Sequence, residues 1–481
     1  MQKGIVLHIC AKIVVIFSSC LLHFFIGRFM SIEEYGIIGI VITLCNFYYM
    51  FLTDGAKQSI SKNISSHKFD PMDVIKKSVV IQIALGISIG VLNYLLAHQI
   101  AVLYNDPSLE KYFKAVSFLI PLTGLFFALT GVLNGIKFFL GETILLMLYP
   151  ILRLSGVIII QYMDESKPLG VICGFILSSF ICVIAAIIII ARKKKRIVSE
   201  ATNVIKISYK ETLQGVGSFI AFFAGIIAVL NMGVFILRAL TQDKVITGYY
   251  TAVYNFALLP YYAISAFFLV LLPYVSDNYA KGKIEEIKQM IMKFFHLVFL
   301  LVLPIAILVC CSAESLLTSF YNEEYIPATL SMQIQIIGVL LLSVSVLLNM
   351  ALSGMGEQKT VTIITLITVI VDVLLHFVLI NSIGMVGASV ATLIVSIFAF
   401  IASYLSLWRK IGAIINVKSF LKPTILITIV TIIAAVLFSL VSVHNLLLLI
   451  AIYCALGVLY LALGVSMKII DIKSLKRGQN E

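Results

Sequence analysis

About fourteen apolar stretches follow one another along this chain, each long enough to cross a bilayer, and Lys and Arg gather in every second gap between them. A spanning helix needs roughly 20 mostly apolar residues. The windows that meet this are 4–26, 36–53, 78–103, 113–135, 143–162, 168–191, 214–237, 248–273, 291–312, 327–353, 361–381, 386–407, 423–440 and 446–467. The expected fold class is an all-α polytopic membrane protein of about 14 transmembrane helices.

Placing the N-terminus inside makes segments 1–3, 54–77, 136–142, 192–213, 274–290, 354–360, 408–422 and 468–481 cytoplasmic, and these hold 26 of the 35 Lys and Arg. That bias follows the positive-inside rule and puts both termini in the cytoplasm. A net charge of +12 would suggest nucleic acid in a soluble chain. Here the basic run Arg192, Lys193, Lys194, Lys195 and Arg196 directly follows a span, so topology and anionic headgroups account for it and no nucleic acid is expected. The eight cysteines all fall inside proposed spans and show no CxxC pattern, so neither a disulfide nor a metal site is expected. The first apolar stretch lacks a small-residue cleavage site and reads as an uncleaved first helix. No gap exceeds about 25 residues, which leaves no room for a soluble catalytic domain. No GxxxxGK[ST] loop is present either, so the chain is expected to be no enzyme and to hold no cofactor.

The two halves echo each other at a separation near 210 to 217 residues. Arg28, Phe29, Met30 and Ser31 leading to Tyr35 and Gly36 match Arg238, Ala239, Leu240 and Thr241 leading to Gly248 and Tyr249. Leu133 and Asn134 followed by Gly141 and Glu142 match Leu348 and Asn349 followed by Gly356 and Glu357, and Leu169, Gly170, Val171 match Val386, Gly387, Ala388. Six helices per copy return the chain to its starting side, so the repeat is parallel, about an axis along the membrane normal, and substrate is expected between the halves. The expected domains are lobes 1–213 and 214–422, each of six helices, with two further helices and a tail over 423–481.

Gly27 to Val41, GRFMSIEEYGIIGIV, resembles the opening of bacterial polysaccharide and O-antigen flippases. Gly248, Tyr249 and Tyr250 resemble the Gly-Tyr-Tyr that opens that family's eighth helix. Asn349, Leu352 and Gly356 resemble its turn after the tenth, and Ile380, Gly384, Gly387, Ala388, Ala391 and Thr392 resemble a further stretch. The resemblance covers roughly residues 10 to 410. It implies the multidrug/oligosaccharidyl-lipid/polysaccharide exporter superfamily, two-lobed bundles that alternate access to a central cavity, in the bacterial cytoplasmic (inner) membrane. LTDGAKQSISKNIS, residues 52–65, also looks like the sporulation and lipid-II-type branch. Where many relatives place an acidic residue in helix seven, this chain has Asn231. The implied function is translocation of a polyprenyl-pyrophosphate-linked oligosaccharide for cell-surface polysaccharide biosynthesis. The implied partners are that lipid-linked oligosaccharide, membrane lipids, and a polysaccharide polymerase and glycosyltransferases of the same pathway.

Charged side chains inside a bilayer are costly and usually face protein or a wet cavity. Lys12, about half-way along the first span, is read either as a cavity cation for the pyrophosphate or as a residue snorkelling to the inner interface. Arg153, in the fifth span, would clamp phosphate oxygens bidentately or pair within its own lobe. Arg28 and Arg238 hold equivalent places at the outer ends of helices one and seven, either as two cations at the cavity mouth or as interfacial anchors. Asp54 and Lys57 read as a gate or as a loop ion pair. Asp372 and His376 lie four apart on one helical face, either as an ion-coupling pair or as a mutually satisfied structural pair. Of the aromatics on helices two and eight, Tyr254 with its neighbour Asn255 lies deep enough to contact sugar rings. Pro121, Pro150, Pro260, Pro273 and Pro304 interrupt or end apolar helices.

Two rival readings separate by composition. A cation-coupled exporter of small amphipathic drugs would have an acidic or aromatic cavity, whereas the charges inside these spans lean basic. A membrane polymerase or glycosyltransferase would show a large outside loop or a domain with paired carboxylates, and the longest outside gap, 313–326, offers only Glu314, Glu323 and Glu324.

Overall fold

The computed structural model describes residues 2–65, 69–163, 166–193, 205–414, 417–441 and 443–469. Among them there is no β-strand, and one isolated bridge joins Phe69 to Ile205. The fold is all-helical and spans a membrane, as a chain so apolar must to satisfy its backbone in hydrocarbon. In chain order the helices are α1 (Gln2–Phe29), α2 (Ile32–Leu52), α3 (Asp54–Ser65), α4 (Pro71–Leu103), α5 (Glu110–Gly135), α6 (Phe139–Arg153), α7 (Ser155–Ile160) and α8 (Lys167–Arg192). They continue as α9 (Tyr209–Thr241), α10 (Lys244–Ala257), α11 (Leu259–Ala280), α12 (Ile284–Leu297), α13 (Leu303–Cys311), α14 (Ala313–Phe320), α15 (Thr329–Gly354), α16 (Gln358–Ile411), α17 (Leu421–Leu440) and α18 (Leu446–Ser466).

Eleven helical stretches among the described residues are long and apolar enough to cross a membrane. Three places explain why the sequence windows are more numerous. The 54-residue α16 holds windows 361–381 and 386–407 across a kink at Ile383 and Gly384, where Gly384 takes φ 58. Window 248–273 is broken at Leu258, between α10 and α11. In α1 the side chains of residues 2–10 and 12 lie outside those described, and the described part, Ile13–Phe29, is a shorter apolar helix.

The chain falls into two compact units, one of Met1–Thr251 with Thr365–Ala388, the other of Ala252–Ile364 with Ser389–Glu481. In the first, α5 packs against α3, α4 and α8, α1 against α6, and α9 against α2 and α3. Its core includes Ile60, Phe126, Val132, Leu133, Cys182 and Ala186. Side chains small enough for backbones to touch set these crossings: Gly86 and Gly90 of α4 lie on Pro121 and Ser117 of α5, and Gly174 of α8 lies on Gly156 of α7. In the second unit α11 packs on α15 and α13 on α17. A π-helical stretch, Val298–Val302, precedes α13, and Tyr460 of α18 donates to the Leu300 carbonyl there.

Ser31 caps α2 with a full capping box, its hydroxyl accepting from Glu34 N–H and its own N–H donating to the Glu34 carboxylate. Ser208 and Glu211 build the same box at α9, and Asp243 accepts from Val245 and Ile246 N–H at the start of α10. The turns after α5 and α15 close alike: Phe138 N–H donates to the Leu133 carbonyl and Glu357 N–H to that of Leu352, with Lys137 (φ 57) and Gly356 (φ 83) left-handed. This pairs Leu133 with Leu352 and Lys137 with Gly356, so the match of Asn134 to Asn349 is four residues, about one helical turn, out of step with the turns.

Inside the first unit Lys57 meets Glu142 at 2.7 Å, with Glu142 fully buried. Asn134 donates to the same carboxylate and accepts from Ser61. The side chain of Asp54, the partner expected from the sequence, lies outside the described ones. In the second unit Lys410 meets Glu357 at 2.6 Å, both about a third exposed. Removing one member of a buried pair leaves an uncompensated charge and costs about 3–5 kcal/mol, whereas exposed pairs contribute about 0–1 kcal/mol. Glu142→Ala is therefore expected to lower the melting temperature of the purified protein by many degrees and Glu357→Ala by a degree or two at most, read by thermal unfolding in detergent.

Candidate functional site

Three polar constellations stand out in the first unit, each built where helices approach closely.

The first surrounds Arg153. It ends α6, about 21 Å along the helix axis from Phe139, within the stretch Phe139–Ile160 that is long and apolar enough to cross a membrane. The guanidinium carbon lies 3.6 Å from the centre of the Phe175 ring and 5.7 Å from that of Tyr149. Its charge is felt at His23, Cys45 and Tyr49 of α1 and α2. Among the described residues no carboxylate pairs with it, and its Nε has no hydrogen-bond partner. Aromatic faces stabilise a guanidinium without neutralising it. His23 Nδ1 lies 3.0 Å from the Tyr35 hydroxyl beside it.

The second is Asp372 and His376, both completely buried on α16. His376 Nδ1 lies 2.8 Å from the Asp372 carbonyl oxygen and 3.2 Å from its carboxylate. A carbonyl only accepts, so Nδ1 carries a proton. Neither carboxylate oxygen of Asp372 has a hydrogen-bond donor, and Nε2 has no partner. Gly233 of α9 makes the room: a methyl there would come within 2.9 Å of Nε2 and 2.7 Å of the Tyr250 hydroxyl. Asn46 of α2 donates to Asn231 of α9 at 2.9 Å, so an amide pair ties these two helices.

The third lies at the end that the charge bias places outside. A methyl on Gly36 of α2 would collide with the Lys244 carbonyl, and one on Gly248 of α10 with the Ile32 carbonyl. Each glycine thus touches the residue four places before the other, the reciprocity that a local two-fold axis produces. Gly39 and Thr251, separated by the same interval, touch each other. Beside this crossing Asp106 sits in the turn between α4 and α5, reached through the left-handed Asn105 (φ 48). Its Oδ2 accepts from Arg238 Nη2 at 2.8 Å and lies 3.1 Å from Lys244 Nζ. Its Oδ1 accepts from the Ser108 hydroxyl at 2.5 Å and N–H at 3.2 Å. Arg238 is 2% exposed and Asp106 6%.

Arg28 and Arg238, alike in sequence, therefore differ: Arg28 is exposed, with its guanidinium over Phe24 at 5.0 Å, while Arg238 is buried in an ion pair. Tyr254, buried, and Asn255, half-buried, belong to the second unit. The side chain of Lys12 lies outside those described. Asp106, His23 and Glu142 were not singled out from sequence. Asp106 carried a signal: Tyr104, Asn105, Asp106 recurs 217 residues on as Tyr321, Asn322, Glu323. The second unit also holds an apolar cleft of about 240 Å³ lined by Phe256, Pro260, Phe267, Leu301, Ile305 and Ile336.

A family described as polysaccharide biosynthesis protein matches residues 25–330, more than half of the chain. An uncharacterized membrane protein of Methanocaldococcus jannaschii, MJ1375, is 27% identical over 172 residues, which cover 34% of this chain and 39% of that protein. Among solved structures, the lipid II flippase MurJ in an inward closed conformation superposes with a TM-score of 0.73 at 14% identity, covering 97% of this chain and 98% of that one. A multidrug resistance MATE family transporter of the MOP superfamily, inward-facing, gives 0.69 at 12% identity over 84% and 96%. A MOP superfamily transporter from Pyrococcus furiosus, whose binding pocket is described as having reverse polarity, gives 0.62 at 12% over 84% and 96%. At these identities the likeness is one of fold: this chain has the fold of MOP-superfamily transporters.

Burial opposes ionisation of Asp106, but Ser108, Lys244 and Arg238 together outweigh it and hold the carboxyl below its ordinary value of 3.8. A carboxyl lowered by folding contributes stability that is complete above the ordinary value and is lost as pH falls through the folded one. The gap in melting temperature between wild type and Asp106→Asn is therefore expected to be constant from about pH 8 to 5 and to close below about pH 4, measured by thermal unfolding across pH.

Proposed function

Because the chain belongs to the polysaccharide biosynthesis protein family, we propose that it is a flippase carrying a polyprenyl-pyrophosphate-linked oligosaccharide across the bacterial cytoplasmic membrane by alternating access. Its product feeds cell-surface polysaccharide assembly, and the enzymes that build and polymerise the glycan are its expected neighbours. The repeats 1–213 and 214–422 act as the two lobes, with both termini in the cytoplasm. The reading is supported by the fold shared with a lipid II flippase. The observation that carries it is Arg153, a cation deep in a membrane span that aromatic rings hold and no described carboxylate neutralises.

In this reading the inward-open cavity takes the pyrophosphate onto Arg153 and Lys12. Arg153 presents a planar fork to phosphate oxygens, and Lys12 adds a point charge. Tyr254 and Asn255 contact sugars, and the polyprenyl chain stays in the bilayer. The protein lowers the cost of drawing a hydrated anionic headgroup through hydrocarbon and makes no covalent bond, so it is no enzyme. Asp372 and His376 supply the coupling: a buried carboxylate without donors and a ring nitrogen without a partner take up a proton or cation together more readily than either alone.

Transbilayer movement of a labelled undecaprenyl-pyrophosphate oligosaccharide in proteoliposomes tests this. Movement is expected above that in empty liposomes, slower by about ten- to a hundredfold in Arg153→Ala at low substrate, as losing a charged hydrogen bond of about 1.5–3 kcal/mol implies. Equal movement in wild type, Lys12→Ala and Arg153→Ala would remove the site. Uptake of cationic dyes with no movement of lipid-linked sugar would replace the flippase by a drug exporter.

For coupling, Asp372→Asn and His376→Gln are expected to abolish the response to an imposed proton or sodium gradient while leaving downhill movement within about threefold of wild type, a change of under 1 kcal/mol. A gradient response that survives both substitutions assigns coupling elsewhere.

A further inference from the structure

We propose that Asp106 is the latch of the outer end: an internal anion that occupies Arg238 and Lys244 while that end is closed and yields them to a phosphate of the substrate as it opens. The inference deepens the flippase reading and rests on it for the identity of the cargo.

Four observations meet here. Asp106 comes from the α4–α5 turn of the first repeat, Arg238 and Lys244 from the α9–α10 corner of the second, so the contact staples one repeat to the other. It is buried, and a buried pair cannot simply loosen, because each partner left alone is an uncompensated charge in a poorly solvated place. Opening therefore requires a replacement anion. Next, the charges do not balance: one carboxylate faces two cations, and Arg238 Nη1 is buried with no hydrogen-bond partner. Both carboxylate oxygens of Asp106 are already used, Oδ1 by Ser108 and Oδ2 by the cations. A phosphate has more acceptor oxygens than a carboxylate and can reach the idle nitrogen as well.

Finally, the neighbouring crossing of α2 and α10 is made by Gly36 and Gly248 lying on backbone carbonyls. Beside those contacts the Thr251 side chain lies on Gly39, so the crossing itself carries no ion pair. The ion pair of Asp106 with Arg238 and Lys244 adds a directional tie at that end. Lys244 also reaches the Ser108 hydroxyl at 3.4 Å, so the turn bearing the latch is held from both sides.

The test uses Thr251→Cys, a reporter buried at the crossing, in sealed proteoliposomes treated outside with a membrane-impermeant maleimide. The same protein without the reporter gives the background from native cysteines. Labelling is expected to be at least about fivefold faster with Asp106→Asn, and faster to a lesser degree with Lys244→Gln, which leaves the Arg238 pair in place. Should Asp106→Asn not fold, as judged by size exclusion, Lys244→Gln alone decides. An unchanged rate in folded variants overturns the latch.

Inorganic pyrophosphate is the second probe. It is expected to raise the melting temperature of Asp106→Asn more than that of wild type, because the internal competitor is gone, and this excess should vanish in Asp106→Asn/Arg238→Gln. An excess that persists without Arg238 overturns the anion site. Labelling in phosphatidylcholine vesicles with and without phosphatidylglycerol separates bilayer headgroups from soluble phosphate. Dependence on phosphatidylglycerol would overturn the role assigned to substrate. No lipid-linked sugar enters these assays, so their failure is distinguishable from failure of the flippase reading.

Discussion

A charge that has left water must be met by something else, and this requirement organises the interior of the first unit. Lys57 is met by Glu142 and Arg238 by Asp106, while Asp372 has a histidine nitrogen 3.2 Å from its carboxylate. Arg153 is the departure, resting on Phe175 and Tyr149. Quadrupole attraction from a ring is worth about 0.5–2 kcal/mol. That holds a guanidinium in place and falls well short of cancelling its demand for an anion. The arrangement grades the interior charges by how completely they are answered, and the least answered are the ones that a ligand or a proton can still complete.

The match between the two halves is clearest where backbones touch. The reciprocal contacts of Gly36 with Lys244 and Gly248 with Ile32 fix an interval of 212 residues at helices two and eight. The Tyr-Asn-Asp and Tyr-Asn-Glu turns give 217, and the left-handed turns of Lys137 and Gly356 give 219. The drift means that residues were gained in connections while helix crossings were kept. It also explains why matching by residue type slipped by a helical turn at Asn134 and Asn349. Residue type alone does not mark where a helix ends, whereas the left-handed residue after it does.

The apolar windows were legible because hydropathy over about 20 residues is a local property that burial in lipid enforces. Their continuity was not: the kink at Gly384 and the break at Leu258 depend on one or two dihedral angles. Among polar residues, only the pair on a single helix, Asp372 and His376, could be read from spacing. Glu142, which Lys57 meets, lies 85 positions away, and the partner of Arg238 lies 132 positions before it. Composition placed these cations in or near spans and said nothing of which carboxylate the fold would bring to them. Arg28 and Arg238 are the sharpest case, equal in every local respect and opposite in burial, because one has Asp106 beside it.

The three constellations suggest a common rule for moving an anion through this fold. If a headgroup travels from Arg153 toward Arg238, every cation it leaves must be left tolerable and every cation it reaches must first be released. Arg153 meets the first condition in part, since ring contacts worth about 0.5–2 kcal/mol hold the guanidinium without an anion. Arg238 meets the second, since Asp106 keeps it neutralised until a better acceptor arrives. An aromatic platform at the outer end would leave a buried cation uncompensated in the closed state. A carboxylate latch at Arg153 would compete with loading. The two sites therefore gain from opposite solutions to the same electrostatic problem, and the difference gives a direction to the order in which they are filled.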